Sequence, residues 1–278
     1  MPELPEVETI KRILAPQLIG RIVEAVDIRN AQVIAHPSAE DLAAGLQGQR
    51  ISDLTRRGKY LTLHLDSGDC LALHLRMTGQ LLVMPADTPV EKHTHLILGL
   101  SEGMQLRYID MRRFGRFWFL RAQEEDAFTG QAGLGLEPTD TSLTAAYLSE
   151  KLGKRKKPVK EMLHDQTIVA GIGNIYSDEI LFAAGIHPKT ACAALTETDW
   201  ARLAKKVREV ILWAIDVNAM TPEEYLRGRG KEYRNMPYLR VYGRSGQPCS
   251  VCGSILEKTT VGGRSSCYCP RCQRVKAC

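Results

Sequence analysis

No stretch of the 278-residue chain reaches about 18 consecutive apolar residues, and charges interrupt the first twenty, which excludes a membrane-spanning helix and a secretory leader on sequence grounds. A cytoplasmic protein is the expectation. Cysteine is scarce until the end: only Cys70 and Cys192 precede the last thirty residues. A disulfide framework spread over the fold is therefore excluded, and a local metal site is the better reading of the terminal cluster. Internal repeats and low-complexity tracts are absent as well, so this is no solenoid or disordered tail.

Charge is unevenly placed. Residues 1–150 hold 15 Lys and Arg against 20 Asp and Glu, whereas 151–278 hold 22 against 12. The basic second half fits a polyanionic partner, and a plain solvated surface is the alternative on charge alone.

Pro5 to Leu14 reads as a helix, with Pro and Glu in its first turn and Val7, Ile10, Ile13 and Leu14 at helical spacing, stopping near Pro16 to Gly20. From there to about Leu120 the apolar residues alternate with period two. Strands are expected at 21–29, 59–66, 70–75, 80–84, 95–100, 105–108 and 116–120, with one short helix at 39–46. Residues 124–140 read as a linker. Helical periodicity follows at 143–152, 159–163, 176–184, 198–219 and 222–227, then short strands return from about Tyr238. The expected fold is α+β and multidomain: an N-terminal β-sandwich over 1–130, a helical domain over 131–238, and a ribbon over 239–278.

Cys249, Cys252, Cys269 and Cys272 form C-x2-C-x16-C-x2-C, the spacing of a four-thiolate zinc ribbon. Two knuckles close a tetrahedron and leave no position for water, so the one expected Zn2+ is structural; paired redox dithiols are the alternative. Cys267 and Cys278 read as bystanders. The loop 259–266 between the knuckles carries two glycines and Arg264, suited to a phosphate or a groove. A second anion seat is expected where Gly171-Ile-Gly-Asn174 opens a helix near Ile175, next to the basic run 154–157 and Lys160.

The N-terminus is the most unusual feature. Removal of Met1 before the small-ring Pro2 exposes a secondary α-amine, whose ordinary pKa of about 7.7–8.0 leaves far more free base at neutral pH than a lysine offers. Attack on a sugar C1′ gives an iminium that stays cationic at any pH, an electron sink for eliminating the neighbouring phosphates. Glu3 and Glu6 lie beside this amine as acid/base candidates, or serve only the helix dipole.

Met1-Pro-Glu-Leu-Pro-Glu-Val-Glu8, Arg57-Gly-Lys-Tyr-Leu61, His74-Leu-Arg-Met77, Asp110-Met-Arg-Arg-Phe-Gly115, Gly171-Ile-Gly-Asn-Ile-Tyr176, Ala183-Ala-Gly-Ile-His-Pro188, Val241-Tyr-Gly-Arg244 and the ribbon together resemble the bacterial formamidopyrimidine-DNA glycosylase family. The resemblance spans the chain in order. It implies a helix-two-turn-helix arrangement in the helical domain and a monomer that excises oxidised purines from duplex DNA, then cuts the strand by β,δ-elimination. Under it Pro2 is the nucleophile, Glu3 and Glu6 assist, and Lys59, read as lying in a strand, contacts the backbone near the lesion. Met77, Arg112 and Phe114 would fill the hole left by a flipped base. His93, Lys160, Asn174 and Arg264 would contact the DNA. Two departures stand out: Met111 replaces the usual Pro of the wedge loop, and 227–237 lacks the family's Gly-Lys-Pro-Gly-Tyr run. An endonuclease VIII-like pyrimidine enzyme and a non-catalytic zinc-ribbon damage binder are the competing readings.

Overall fold

The computed structural model describes residues 2–124 and 126–275. Contacts divide the chain into two units. The first is residues 6–132 with Pro2 and the returning segment Asn218–Tyr233; the second is Glu3–Pro5, Gly133–Val217 and the C-terminal part from Arg234.

The first unit begins with α1 (Leu4–Leu18), which buries Val7, Ile10, Ile13, Leu14 and Leu18 on one face. It ends at Leu18, inside the expected stop at Pro16 to Gly20, and contains Pro16. The ring costs one backbone bond there, yet the Ile19 N–H still reaches the Ala15 carbonyl at 3.0 Å, and apolar burial on the inner face holds the last turn.

Strands β1 (Val23–Ile28), β2 (Ile34–His36), β3 (Ile51–Arg57), β4 (Tyr60–Leu65), β5 (Cys70–His74), β6 (Gln80–Pro85), β7 (Thr94–Leu100), β8 (Met104–Ile109) and β9 (Arg116–Leu120) follow, with α2 (Ala39–Leu46) between β2 and β3. They form a four-stranded sheet, β1-β7-β8-β6, and a five-stranded sheet, β2-β9-β5-β4-β3. All pairs are antiparallel except β2 with β9. Leu81, Leu98 and Leu106 of one sheet share a single core with Leu63, Leu71 and Phe117 of the other and with the apolar face of α1. That is the layered arrangement expected for this half. Strands β2 and β3 had no counterpart in the alternation pattern: β2 spans three residues, and β3 carries Asp53, Thr55, Arg56 and Arg57 on an edge strand. Lys59 is corrected too. It occupies the two-residue turn joining β3 to β4, after Gly58 at φ 56°.

The second unit is helical: α3 (Ala145–Leu152), α4 (Val159–Leu163), α5 (Asn174–Ala184) and α6 (Glu197–Val217), closed by a ribbon of β10 (Glu257–Val261) and β11 (Arg264–Tyr268). A further helix, α7 (Pro222–Arg227), starts with a Thr221–Glu224 capping box and buries Tyr225 in the first unit's core. In the second core α5 is central. Nine of its eleven residues are buried, and its C-terminus ends on Gly185 in the left-handed conformation. No helix among the described residues is long and apolar enough to cross a membrane.

Candidate functional site

Glu3 is 1% exposed, and its carboxylate sits on the N-terminus of α5. It accepts the N–H groups of Gly173 at 2.7 Å, Ile175 at 2.9 Å and Tyr176 at 3.4 Å. Freed N–H groups and the positive end of the helix dipole make this a favourable place for an anion. Gly173 permits the approach, since a Cβ there would lie 2.5 Å from the Glu3 carboxyl carbon. At Gly171, with φ 93°, a side chain would meet Leu4 in the same way, and the Leu4 N–H binds the Gly171 carbonyl at 3.1 Å. Gln166 stabilises the loop by accepting the Gly171 N–H and donating to the Ile172 carbonyl. The anion seat expected from Gly-x-Gly-Asn is present, but the chain's own Glu3 fills it, which corrects the reading of these amides as a phosphate clamp. Pro2, one residue earlier, is half-buried; Met1 lies outside the described residues.

Glu6 is 2% exposed. Glu8, not singled out from the sequence, is bound by Arg56 at 2.8 Å, Arg12 at 2.9 Å and Lys11 at 3.3 Å. Burial raises its pKa, but the Arg56 hydrogen bond and charge, with Arg12 and Lys11 behind them, bring it below the ordinary glutamate value. Lys59 is mostly buried in its turn, and its charge reaches His74 on the neighbouring strand.

The three wedge candidates meet at the surface. Met77 and Phe114 are each 44% exposed, uncommon for large apolar side chains at turns. The Arg112 guanidinium joins them: Nη1 lies 3.1 Å from the Met77 sulfur, and its carbon is 4.4 Å from the Phe114 ring centroid. The residues just before the two wedges, Arg76 and Arg113, both have left-handed backbones, at φ 55° and 57°. Strain of that kind persists only where the surroundings enforce it.

Asp110 supplies much of that enforcement, and sequence reading did not nominate it. It is fully buried, and one carboxylate oxygen accepts the Thr78 hydroxyl and the Arg112 N–H. The other accepts the Tyr108 hydroxyl at 2.7 Å and the Gly115 N–H at 3.0 Å. Burial opposes its ionisation, but the donors from Gly115, Thr78, Tyr108 and Arg112 outweigh it and lower the pKa. These bonds join the turn after Met77 to the loop carrying Arg112 and Phe114. Met111, 65% exposed, replaces a proline in that loop without removing any of them. A Cβ on Gly115 would overlap the Tyr108 hydroxyl, so glycine is needed at that crossing. His93 takes φ 68°, and its carbonyl accepts the Asp110 N–H at 3.0 Å.

Lys160 is 1% exposed; Nζ is 2.7 Å from Asp178 and 2.8 Å from the Ser265 carbonyl. The expected surface contact with a phosphate is corrected to a buried pair between α4 and α5. Burial is the largest influence on both partners, lowering the lysine's pKa and raising the aspartate's. Asp178 also accepts the Ser266 hydroxyl at 2.6 Å and the Cys267 N–H at 3.0 Å, while Glu179 accepts three successive N–H groups from Arg240, Val241 and Tyr242. Two adjacent acids of α5 thus hold the ribbon and the segment leading to it. Asn174 opens α5, half-buried, with its side chain hydrogen-bonded to Tyr242. Arg264 is exposed at the start of β11, just after the turn Gly262-Gly263 at φ 55° and 74°.

The Sγ atoms of Cys249, Cys252, Cys269 and Cys272 all lie within 4.8 Å of one another, the Cys249–Cys272 and Cys252–Cys269 pairs at 4.0 and 3.4 Å. A tetrahedral ion at about 2.3 Å from each sulfur needs edges of about 3.8 Å, so the four thiols fit Zn2+. The Val251 and Cys272 N–H groups point at Cys249 and Cys269 sulfurs, each at 3.4 Å, as thiolates require. Gln273 ties the second knuckle to the segment just after α5, accepting from Cys269 N–H and donating to the Ile186 carbonyl. Cys267 is buried on β11 and takes no part; Cys278 lies outside the described residues.

Three family models match in sequence: the formamidopyrimidine-DNA glycosylase N-terminal domain over residues 1–117, its H2TH domain over 134–225, and the zinc finger found in FPG and IleRS over 246–275. The formamidopyrimidine-DNA glycosylase of Pelotomaculum thermopropionicum is 41% identical, covering 99% of this chain and 100% of its own. That of Geobacillus kaustophilus is 44% identical over the same shares. Among solved structures, a complex of the Lactococcus lactis enzyme with DNA containing an oxidised pyrimidine superposes with a TM-score of 0.90 at 34% identity, covering 98% of this chain and 100% of that one. Its complex with abasic-site DNA gives the same score and identity over 98% and 99%. Fold, cysteine cluster and relatives together define a zinc-ribbon DNA repair glycosylase. The chain belongs to the formamidopyrimidine-DNA glycosylase family, and the ribbon cysteines hold one structural zinc.

Proposed function

We propose that this chain is a bifunctional glycosylase and abasic-site lyase that removes oxidised purines and formamidopyrimidines from duplex DNA, acting as a monomer in the cytoplasm on the chromosome. With Met1 removed, the Pro2 nitrogen attacks C1′ of the damaged nucleotide and gives up its proton. The C1′–base bond breaks, and the base leaves with the electron pair and takes up a proton. Ring opening moves the C1′–O4′ electrons onto oxygen, which is protonated, and leaves a cationic C1′=N iminium. Loss of a C2′ proton then expels the 3′ phosphate; a second elimination expels the 5′ phosphate. Water hydrolyses the iminium and restores the amine. Glu3 is the proposed proton carrier at the sugar, with Glu6 ordering the nucleotide and Lys59 binding its backbone. Met77, Arg112 and Phe114 fill the vacated stack, Arg112 donating to the orphaned base. His93, Asn174 and Arg264 are the proposed backbone contacts. Lys160 acts through Asp178. When bound, zinc supplies ribbon structure and no chemistry.

The observation that carries this reading is the Glu3 clamp: three amides fix the carboxylate of the residue directly bonded to Pro2, so the amine is presented from an immobilised stem. Preorganisation of that kind is what a nucleophile requires. That the Lactococcus lactis relative was solved with oxidised-pyrimidine DNA and with Fapy-dG DNA supports a range of bases wider than one purine. Borohydride reduction with abasic-site DNA tests the proposal. Correctly processed protein is expected to form a covalent adduct that Pro2→Gly does not. Absence of the adduct from the processed protein sinks the enzyme reading in favour of a damage binder, and comparing 8-oxoguanine with oxidised pyrimidines ranks the bases.

A further inference from the structure

The four-stranded sheet buries one charge among its apolar side chains. Arg107, in the middle of β8, is 1% exposed. Its neighbours Leu106 and Tyr108 point into the shared core, so alternation turns Arg107 to the opposite face, level with Leu82 of β6 and Ile97 of β7. Burial first, then the Arg29 charge, lower its pKa, and no carboxylate among the described residues offsets them. A buried guanidinium without a counter-ion is costly, and it persists where its N–H groups are fully used.

They are used chiefly on a single loop. Nη1 donates to the Pro89 carbonyl at 3.0 Å and Nη2 to the Thr88 carbonyl at 2.6 Å, while Nε binds Gln105 Oε1 at 2.9 Å on its own strand. The fork thus fixes the middle of the connection 86–93 between β6 and β7. Other bonds fix its ends: the Ala86 N–H binds the Gly103 carbonyl at 2.9 Å, and the Thr94 hydroxyl binds the Glu91 carbonyl at 2.8 Å. At the far end stands His93, left-handed at φ 68°, a conformation that a non-glycine residue keeps only where its surroundings impose it. His93 is half-buried, and Lys92 beside it is exposed.

We propose that Arg107 is the positioning residue for the DNA contact of His93, its buried fork stiffening loop 86–93 from beneath so that His93 meets the phosphate backbone already in place. This deepens the role given to His93 above and rests on it. Arg107 acts through the loop. Lysine cannot replace it, because a single ammonium nitrogen does not span the carbonyls of Thr88 and Pro89 and the amide of Gln105 at once.

The test measures affinity for a duplex carrying a tetrahydrofuran abasic analogue, by fluorescence anisotropy well below each protein's melting temperature. Wild type, His93→Ala, Arg107→Met and the double variant are compared. Arg107→Lys, which keeps the charge without the fork, serves as the loss variant should the Met protein not fold. His93→Ala is expected to weaken binding about tenfold, the loss of one hydrogen bond to a charged group. Arg107→Met is expected to lose about fivefold, and the double variant about tenfold in place of a product of about fiftyfold, because both changes remove the same contact. Borohydride trapping at saturating abasic-site DNA should stay within about threefold of wild type in the Arg107 variant, which a general loss of structure would not allow. Losses that multiply, wild-type affinity in the Arg107 variants, or trapping that falls at saturating DNA overturn the proposal. Unchanged affinity in His93→Ala would instead remove the His93 contact, and the proposal with it.

Discussion

Glu3 Oε2 accepts the Gly173 N–H at 2.7 Å, a bond spanning 170 positions of sequence that fastens the residue after Pro2 to the first turn of a buried helix. The partners are matched in size, and glycine is the only residue that fits.

Gly173→Ala tests this fit directly. The added methyl would lie 2.5 Å from the Glu3 carboxyl carbon and must push it out of its seat. Displacement of about 1 Å at a reacting centre costs about a hundredfold in rate. Single-turnover excision and borohydride trapping should therefore fall together by about that factor while duplex affinity changes little; unchanged trapping would show that the clamp is irrelevant to the amine.

Asp110→Asn should destabilise the first unit by about 2 kcal/mol, because one amide end places a donor against the Gly115 N–H and Tyr108 hydroxyl or against Thr78 and Arg112. The pH dependence has a defined sign. The folded-state pKa of Asp110 lies below the ordinary 3.8, so its stabilisation is fully present above that value and is lost as pH falls through the lower, folded one. The melting-temperature gap between wild type and variant should stay constant from pH 8 to 5 and narrow below about pH 4. A gap that widens on acidification contradicts the assignment.

Lys160→Met leaves Asp178 buried without its counter-ion and should cost about 3–5 kcal/mol. Lys160→Met with Asp178→Asn should recover much of this, since the amide oxygen can accept the Cys267 N–H and the amide NH2 can donate to the Ser266 hydroxyl, which is free to rotate. Urea denaturation of zinc-loaded protein, analysed as a double-mutant cycle, decides; additive losses would mean the pair is not coupled.

Cys252→Ser or chelation should release zinc and abolish DNA binding, measured by anisotropy alongside metal content. Retained affinity with no zinc would contradict it. The reason is mechanical: Asp178, Glu179 and Gln273 can hold the ribbon only while its knuckles are folded.

The sequence was most informative where one residue type enforces one geometry. Four cysteines at knuckle spacing point to one tetrahedral site, where the structure gathers them, and α2, α4, α7 and β9 fall at the bounds that caps and periodicity predict. It was least informative where tertiary contact decides. Lys59 follows a polar edge strand that alternation does not reveal, so a strand was expected where a turn lies. The Gly-x-Gly-Asn turn advertises an anion seat but not its occupant, which comes from the far end of the chain. Lys160 looked like part of a basic surface because nothing local shows that Asp178 lies 2.7 Å away. Asp110 carries a weaker signal: an acid closing a strand pattern, with glycine five positions on, favours side-chain capping of a turn.

With nine of eleven residues buried, acids gripping the ribbon at its middle and amides gripping Glu3 at its start, α5 has no neutral surface on which mutations can drift. A lineage adapting to different damage must therefore vary the exposed turns near Met77, Met111 and Phe114 and the segment 227–237, and leave that axle alone.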